Sequence, residues 1–286
     1  MKNKRIAFLI LMVISMCILQ IAYLYENSMH LVEILGVVEI LGVILVMTIV
    51  YIGLKVLYGK WFGNDGTFKD NFAMRNLKKR YIIIFSVYGF LINSLSSRIY
   101  TGIFGLPKNE QRQNEKQHTL EMAISNDIKT PIVEEILCRG LLFMTIVSLF
   151  YVLNGKSRGC IKILVMNITF VIVSTVIFGL MHGMNWRRLF AEGLIETDFR
   201  HVTPYLVAGL IYSLLYMVTK TLFAPIIAHM LNNLSASDFP ILSFLDFQTT
   251  VFFALITTLV ILAISVVNYM TKGNQASFFK EENTRH

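Results

Sequence analysis

Charge is what this sequence has least of. Only 15% of its 286 residues are charged, against about 25% in an ordinary soluble domain. With 55% hydrophobic residues and a mean hydropathy of +0.60, that shortage excludes a typical soluble domain and leaves a chain composed for lipid. Cysteine is scarce too. Cys17 and Cys138 fall in apolar runs and Cys160 in a basic loop, with no paired spacing. This excludes a disulfide framework and a structural zinc site. Several signatures are missing: HExxH, the GxSxG nucleophile elbow, and the GxGD of aspartyl intramembrane proteases. NGKSRG, from Asn154, resembles the end of a phosphate-binding loop, but the glycine that pattern needs is replaced by Phe150.

What the chain does have is apolar length. Crossing about 30 Å of hydrocarbon takes about 20 apolar residues in a helix. Eight runs are candidate spans: 6–25, 31–57, 81–99, 131–153, 162–183, 203–219, 221–236 and 249–270. The first follows Lys2, Lys4 and Arg5 but ends in YLYENS without a small-residue cleavage site, so it is expected to be a retained span. Only Lys220 separates the sixth and seventh, which predicts a helical hairpin. The expected class is an all-α polytopic membrane protein. An N-terminal region (1–130) would hold about three spans and a polar outer loop. A core (131–236) would follow, then a last span and tail (237–286).

The net charge of +8 has a side. Seventeen of the 26 Lys and Arg fall on the side that holds both termini, eight on the other, and Arg139 lies within a span. Basic loops stay cytoplasmic, so both ends are expected in the cytoplasm of a cell-membrane protein. The basic stretch Lys60–Arg80 then reads as an anchor to anionic lipid, and no nucleic-acid partner is expected. VEILGV occurs in tandem at 32–37 and 38–43, a local duplication that puts Glu33 near one membrane face and Glu39 deeper. Glu39 is a rival functional carboxylate, although a snorkelling or protonated glutamate is the plainer reading.

The densest polar group inside apolar sequence is TPIVEEILCRG, Thr130–Gly140. Each ionised group there costs roughly 2.5–3.5 kcal/mol on insertion scales. Glu135 and Arg139 are four residues apart, so they share a face and are expected to pair. Glu134 is rotated by about 100° and stays free of that partner. Thr130 is expected to cap this helix with Pro131 at its first position, leaving Glu134 about one turn from the outer end. Of six histidines only His182 and His229 fall in apolar spans. His229 and Asn233 share a face, as do Phe178 and His182. Span directions bring Glu134, His182, His229 and Asn233 towards one pocket. A carboxylate with an imidazole can activate water, and a second imidazole with an amide can hold an oxyanion. The same groups also suit a structural hydrogen-bond network or a proton relay in a carrier. Carriers usually show repeats of several spans, and none is present.

In order and spacing, EExxxR (Glu134, Glu135, Arg139), FxxxH (Phe178, His182) and HxxxN (His229, Asn233) resemble the three motifs of the CPBP family, the CAAX proteases and bacteriocin-processing enzymes, also called Abi. The flanks PIVEEILCRGLLF, FGLMHG and APIIAHMLNN agree, and the likeness covers roughly 131–233. The resemblance implies an intramembrane endopeptidase of about eight helices, with a conical or bundled core, acting on a membrane-embedded or lipidated peptide in the bilayer. Glu134 and His182 would activate water, and His229 and Asn233 would form the oxyanion site. Glu135 and Arg139 would support them, with Phe178 beside His182. Cys138 stands where the family usually has an aromatic residue, a change in packing volume that bears on substrate preference. The alternative within the family is a non-catalytic protein that serves bacteriocin self-immunity or partners a membrane sensor kinase. No cofactor is expected. Glu134, His182 and His229 would be the ligands if a metal were used, but no two of them sit at ligand spacing on one helix.

Overall fold

The computed structural model describes residues 2–28, 37–62, 79–105, 124–154, 160–183, 193, 199–236 and 247–262. The regular structure among them is helical throughout: α1 Lys2–Ser28, α2 Val37–Phe62, α3 Lys79–Phe104, α4, α5 Cys160–Gly183, α6 Phe199–Thr219, α7 Phe223–Ala236 and α8 Phe247–Leu262. α4 is continuous but uneven. Wide π turns at Ile124–Lys129 and Ile136–Leu141 alternate with α-helical Thr130–Glu135 and Leu142–Asn154.

A helix stands at each of the eight expected spans, and the chain is an all-α polytopic membrane protein. Among the described residues six helices, α1 to α6, are long and apolar enough to cross a membrane. α7 has 14 residues, about 21 Å at 1.5 Å per residue, which is short of the hydrocarbon thickness. α8 is described over Phe247–Leu262, and residues 263–270 of that expected run lie outside the described residues. So do Glu33, most of Lys60–Arg80, most of the 108–129 loop and the C-terminal tail; the side chain of Glu39 is likewise outside.

α4 is the central helix. Of its apolar window 78% is buried, against 17% for α1 and α2 and 28% for α3 and α5. The outer helices show lipid-facing residues such as Ile10, Ile14, Leu45, Ile49 and Ile172. The antiparallel pair α5 and α6 packs closest. A Cβ on Gly179 would run into Leu206 and one on Gly183 into Val202, while one on Gly209 would stand 3.2 Å from Phe178 Cβ. Small residues of this kind let membrane helices approach, because packing rather than hydrophobicity joins them in lipid. The predicted hairpin of α6 and α7 is present. Lys220 makes the turn with φ 57°, and its N–H donates to the Tyr216 carbonyl at 2.9 Å.

The start of the central helix differs from the expectation. Thr130 is not its cap, because the helix is already under way at Ile124 and Lys129 occupies helical backbone. Pro131 is tolerated because the π turns ahead of it relax the usual carbonyl pairing. Glu134 is therefore about ten residues, roughly 15 Å, from Ile124, rather than one turn from the helix end.

Candidate active site

Five charged or imidazole side chains, Glu134, Glu135, Arg139, His182 and His229, meet where α4, α5 and α7 approach. Glu134 is 2% exposed, Glu135 and Arg139 0%, and His229 4%. Burial of this depth is tolerable only where the partners are close, and they are.

Arg139 Nη1 lies 2.9 Å from Glu135 Oε1, the expected pair. The guanidinium also donates through Nη2 to the Gly209 carbonyl at 2.9 Å. It sits over the Phe178 ring, 4.5 Å from its centroid, and 5.5 Å from that of Tyr212. A hydrogen-bonded guanidinium with aromatic faces beside it is a stable buried cation. Arg139 thus joins α4, α5 and α6, and Phe178 is part of its cage as well as a neighbour of His182.

The two histidines have fixed roles for their nitrogens. His182 Nδ1 is 3.0 Å from the Phe178 carbonyl, which only accepts, so Nδ1 carries a proton there. His182 Nε2 faces Glu134 Oε1 at 3.4 Å. His229 Nδ1 lies 3.1 Å from Glu135 Oε1, and its Nε2 is 3.8 Å from Glu134 Oε2. With Glu135 ionised, His229 Nδ1 is a donor, and both rings present Nε2 to the Glu134 carboxylate. Stacking holds the rings in place: Tyr205 lies parallel to His182 with centroids 4.4 Å apart, and Tyr212 lies on His229 at 4.8 Å. His182 is the open edge of the group, with a side chain 21% exposed.

Asn233 stands one turn from His229 on α7, as expected, and has a partner that the sequence did not indicate. Its amide donates to the Asn126 carbonyl at 2.8 Å, tying the end of α7 to the start of α4. A second amide hydrogen is left for another acceptor. The expected group thus comes together for Glu134, His182 and His229, with Asn233 one turn further along α7 and already engaged. Glu135 does more than pair with Arg139, because it also fixes the His229 ring. Among the described residues no group of three or more His, Cys, Asp or Glu side chains is placed to hold a metal ion. Cys138 packs on α5, its Sγ 3.5 Å from Met181 Sδ. The Ser174 hydroxyl donates to the Cys138 carbonyl at 2.9 Å, so this position sits in the wall between α4 and α5.

Sequence reasoning missed four residues. Tyr23 of α1 donates its hydroxyl to Glu134 Oε1. Tyr212 and Tyr205 carry the histidine rings. Asn93 of α3 reaches Asn232 Oδ1 at 2.8 Å and Tyr212 Oη at 3.4 Å, which steadies Tyr212. Tyrosines in apolar runs give little warning, since a buried hydroxyl is as often structural.

Chemically, the cluster offers a buried carboxylate between two imidazole Nε2 atoms. Glu134 Oε2 is buried and makes no hydrogen bond within the described residues. Such a set can take a proton from one group and return it to another.

Comparison with known proteins finds a family model that matches the same segment. Residues 116–235 match the Rce1-like family, described as "Type II CAAX prenyl endopeptidase Rce1-like". The chain is 26% identical over 172 residues to "Putative membrane peptidase YdiL" of Bacillus subtilis (strain 168), covering 56% of this chain and 59% of that protein. It is 28% identical over 163 residues to "Membrane-embedded CAAX protease MroQ" of Staphylococcus aureus (strain USA300), covering 54% and 57%. The matched stretch thus spans less than three fifths of either relative. No solved structure matches. Over residues 116–235, the stretch that carries Glu134, His182, His229 and Asn233, the chain resembles the Rce1-like CAAX endopeptidases.

Proposed function

We propose that this chain is an intramembrane endopeptidase that cleaves a membrane-associated peptide with a water activated by Glu134 and His182. The observation that carries the reading is the buried Glu134 carboxylate facing Nε2 of both His182 and His229, from three separate helices. The names of the relatives, a membrane peptidase and a membrane-embedded CAAX protease, support the same class.

In this reading the water oxygen attacks the scissile carbonyl carbon and its proton passes to Glu134. The carbonyl oxygen becomes an oxyanion. His229, when doubly protonated, donates Nδ1–H to Glu135 and turns Nε2–H to that oxygen. The second amide hydrogen of Asn233 supplies a further donor. Collapse of the intermediate breaks the C–N bond, and the proton held by Glu134 goes to the leaving nitrogen. Glu135 and Arg139 keep His229 oriented. Entry is by the His182 edge, the most exposed part of the group.

The same reading places both termini in the cytoplasm and the site towards the outer half of the cell membrane, from the 17-to-8 distribution of basic residues. The test is cleavage of membrane-peptide libraries by purified protein in lipid nanodiscs, beside Glu134→Gln. Glutamate-dependent cleavage is the expected result. Equal product from both proteins would remove Glu134 from the chemistry.

A further inference from the structure

The N-terminal helix α1 lies outside the matched segment and carries no recognised motif, yet it reaches the centre of the site. Its buried positions are Phe8 and Met12 at 0% exposure, Tyr23 at 4% and, next to it, Leu24 at 7%. Met16 and Leu19 pack against the same core. The spacing of four, four, three and four residues is one face of an α-helix. Ile10, Ile14, Ile18 and Ile21 are exposed. This stripe fixes the rotation of α1 against α4, and at its end it delivers a phenol to a carboxylate.

The two oxygens of Glu134 are thereby made unequal. Oε1 accepts from Tyr23 and faces His182 Nε2 at 3.4 Å. Oε2 makes no hydrogen bond within the described residues and looks towards His229 Nε2 at 3.8 Å. Rotation about the last side-chain bond would exchange the two oxygens, and a donor held by a packed helix removes that freedom. A phenol also has an apolar body that suits the helix face and a polar tip that suits the site.

We propose that Tyr23 is a positioning residue, whose hydroxyl holds Glu134 Oε1 and leaves Oε2 as the oxygen that receives the proton from water. The inference rests on the peptidase reading. The water proton passes to Oε2 as the new C–O bond forms, and later from Oε2 to the leaving nitrogen. Tyr23 keeps its own proton throughout. α1 is then a working part of the enzyme and not only an anchor.

The test variant is Tyr23→Phe, which keeps the ring and deletes only the hydroxyl. It is expected to lower kcat by roughly 10–100-fold, the scale of a small misplacement of a reacting group, with KM changed less than about twofold. Infrared difference spectra supply a readout that does not depend on turnover. The Glu134 carboxylate band, identified by its loss in Glu134→Gln, is expected to shift in Tyr23→Phe. Should Tyr23→Phe fail to accumulate, Tyr23→3-fluorotyrosine keeps the packing and strengthens the donor, and the band is expected to move the other way. Full kcat in Tyr23→Phe, with Glu134→Gln inactive, overturns the role of Tyr23 and leaves the peptidase reading standing. An unmoved band overturns the hydrogen bond itself. A shifted band in a protein that cleaves nothing removes the peptidase reading, and the positioning role with it.

Discussion

His229 Nδ1 lies 3.1 Å from Glu135 Oε1, the same oxygen that Arg139 Nη1 approaches at 2.9 Å. One carboxylate oxygen therefore holds both a cation on its own helix and an imidazole from another. In the proposed mechanism the two adjacent glutamates have different duties for that reason: Glu135 would order the site and Glu134 would act.

Glu134→Gln is expected to abolish cleavage while the protein accumulates and melts near the wild-type temperature. Glu135→Gln and Arg139→Ala are each expected to lose about 3–5 kcal/mol of stability, because each leaves a buried partner charge uncompensated. Thermal unfolding in detergent, beside a cleavage assay, separates the two effects. Equal destabilisation by Glu134→Gln and Glu135→Gln would contradict the division of duties.

Asn233→Ala is expected to lower kcat by about 10²–10³-fold with little change in KM, the usual effect of losing one oxyanion donor. Its bond to the Asn126 carbonyl makes a second outcome readable. If the amide only ties α7 to α4, stability falls and kcat of the folded fraction holds.

Activity is expected to survive chelation, with no stoichiometric metal in elemental analysis. Zinc at one equivalent, together with activity lost to a chelator and restored by zinc, would recast Glu134, His182 and His229 as ligands.

A cysteine at Asn114→Cys is expected to react with an impermeant maleimide added to intact cells. Labelling only after permeabilisation would reverse the orientation and move the site to the inner half of the bilayer.

Gly183→Ala is expected to cost about 1–3 kcal/mol, because its Cβ would meet Val202 at the closest approach of α5 and α6. Val202→Ala in the same chain should recover most of the loss. Failure of the double variant to recover would mean that the glycine matters for backbone reasons.

Much of the site was legible because helix phase is arithmetic. Glu135 and Arg139 pair as their spacing requires, and the Phe178 ring lies against His182 one turn away, tilted by 38° with centroids 4.6 Å apart. Three things were hidden. The start of α4 was hidden because ISNDIK is polar enough to read as loop, yet Ser125, Asp127 and Lys129 are buried in wide helical turns. The duty of Asn233 was hidden because its partner is a backbone carbonyl on another helix, which no side-chain pattern records. Tyr23 was hidden because both faces of α1 are apolar in a membrane, so the stripe that buries it has no polar side to contrast with. Length and hydropathy gave the six long helices found among the described residues, and they gave the seventh run, 221–236, as a short one, which α7 at Phe223–Ala236 matches.

The pairing of Glu135 with Arg139 on one helix also bears on how such a chain enters the bilayer. During synthesis α5, α6 and α7 do not yet exist, so Arg139 has no Gly209 carbonyl and no aromatic cage. It does have Glu135 one turn before it, and the two leave the ribosome together as a net-neutral unit. Glu134 has Tyr23 already made. Glu134, Glu135 and Arg139 thus each arrive with a companion that precedes or accompanies them, and the two histidines, which come later, complete the group without having been needed to bring it in.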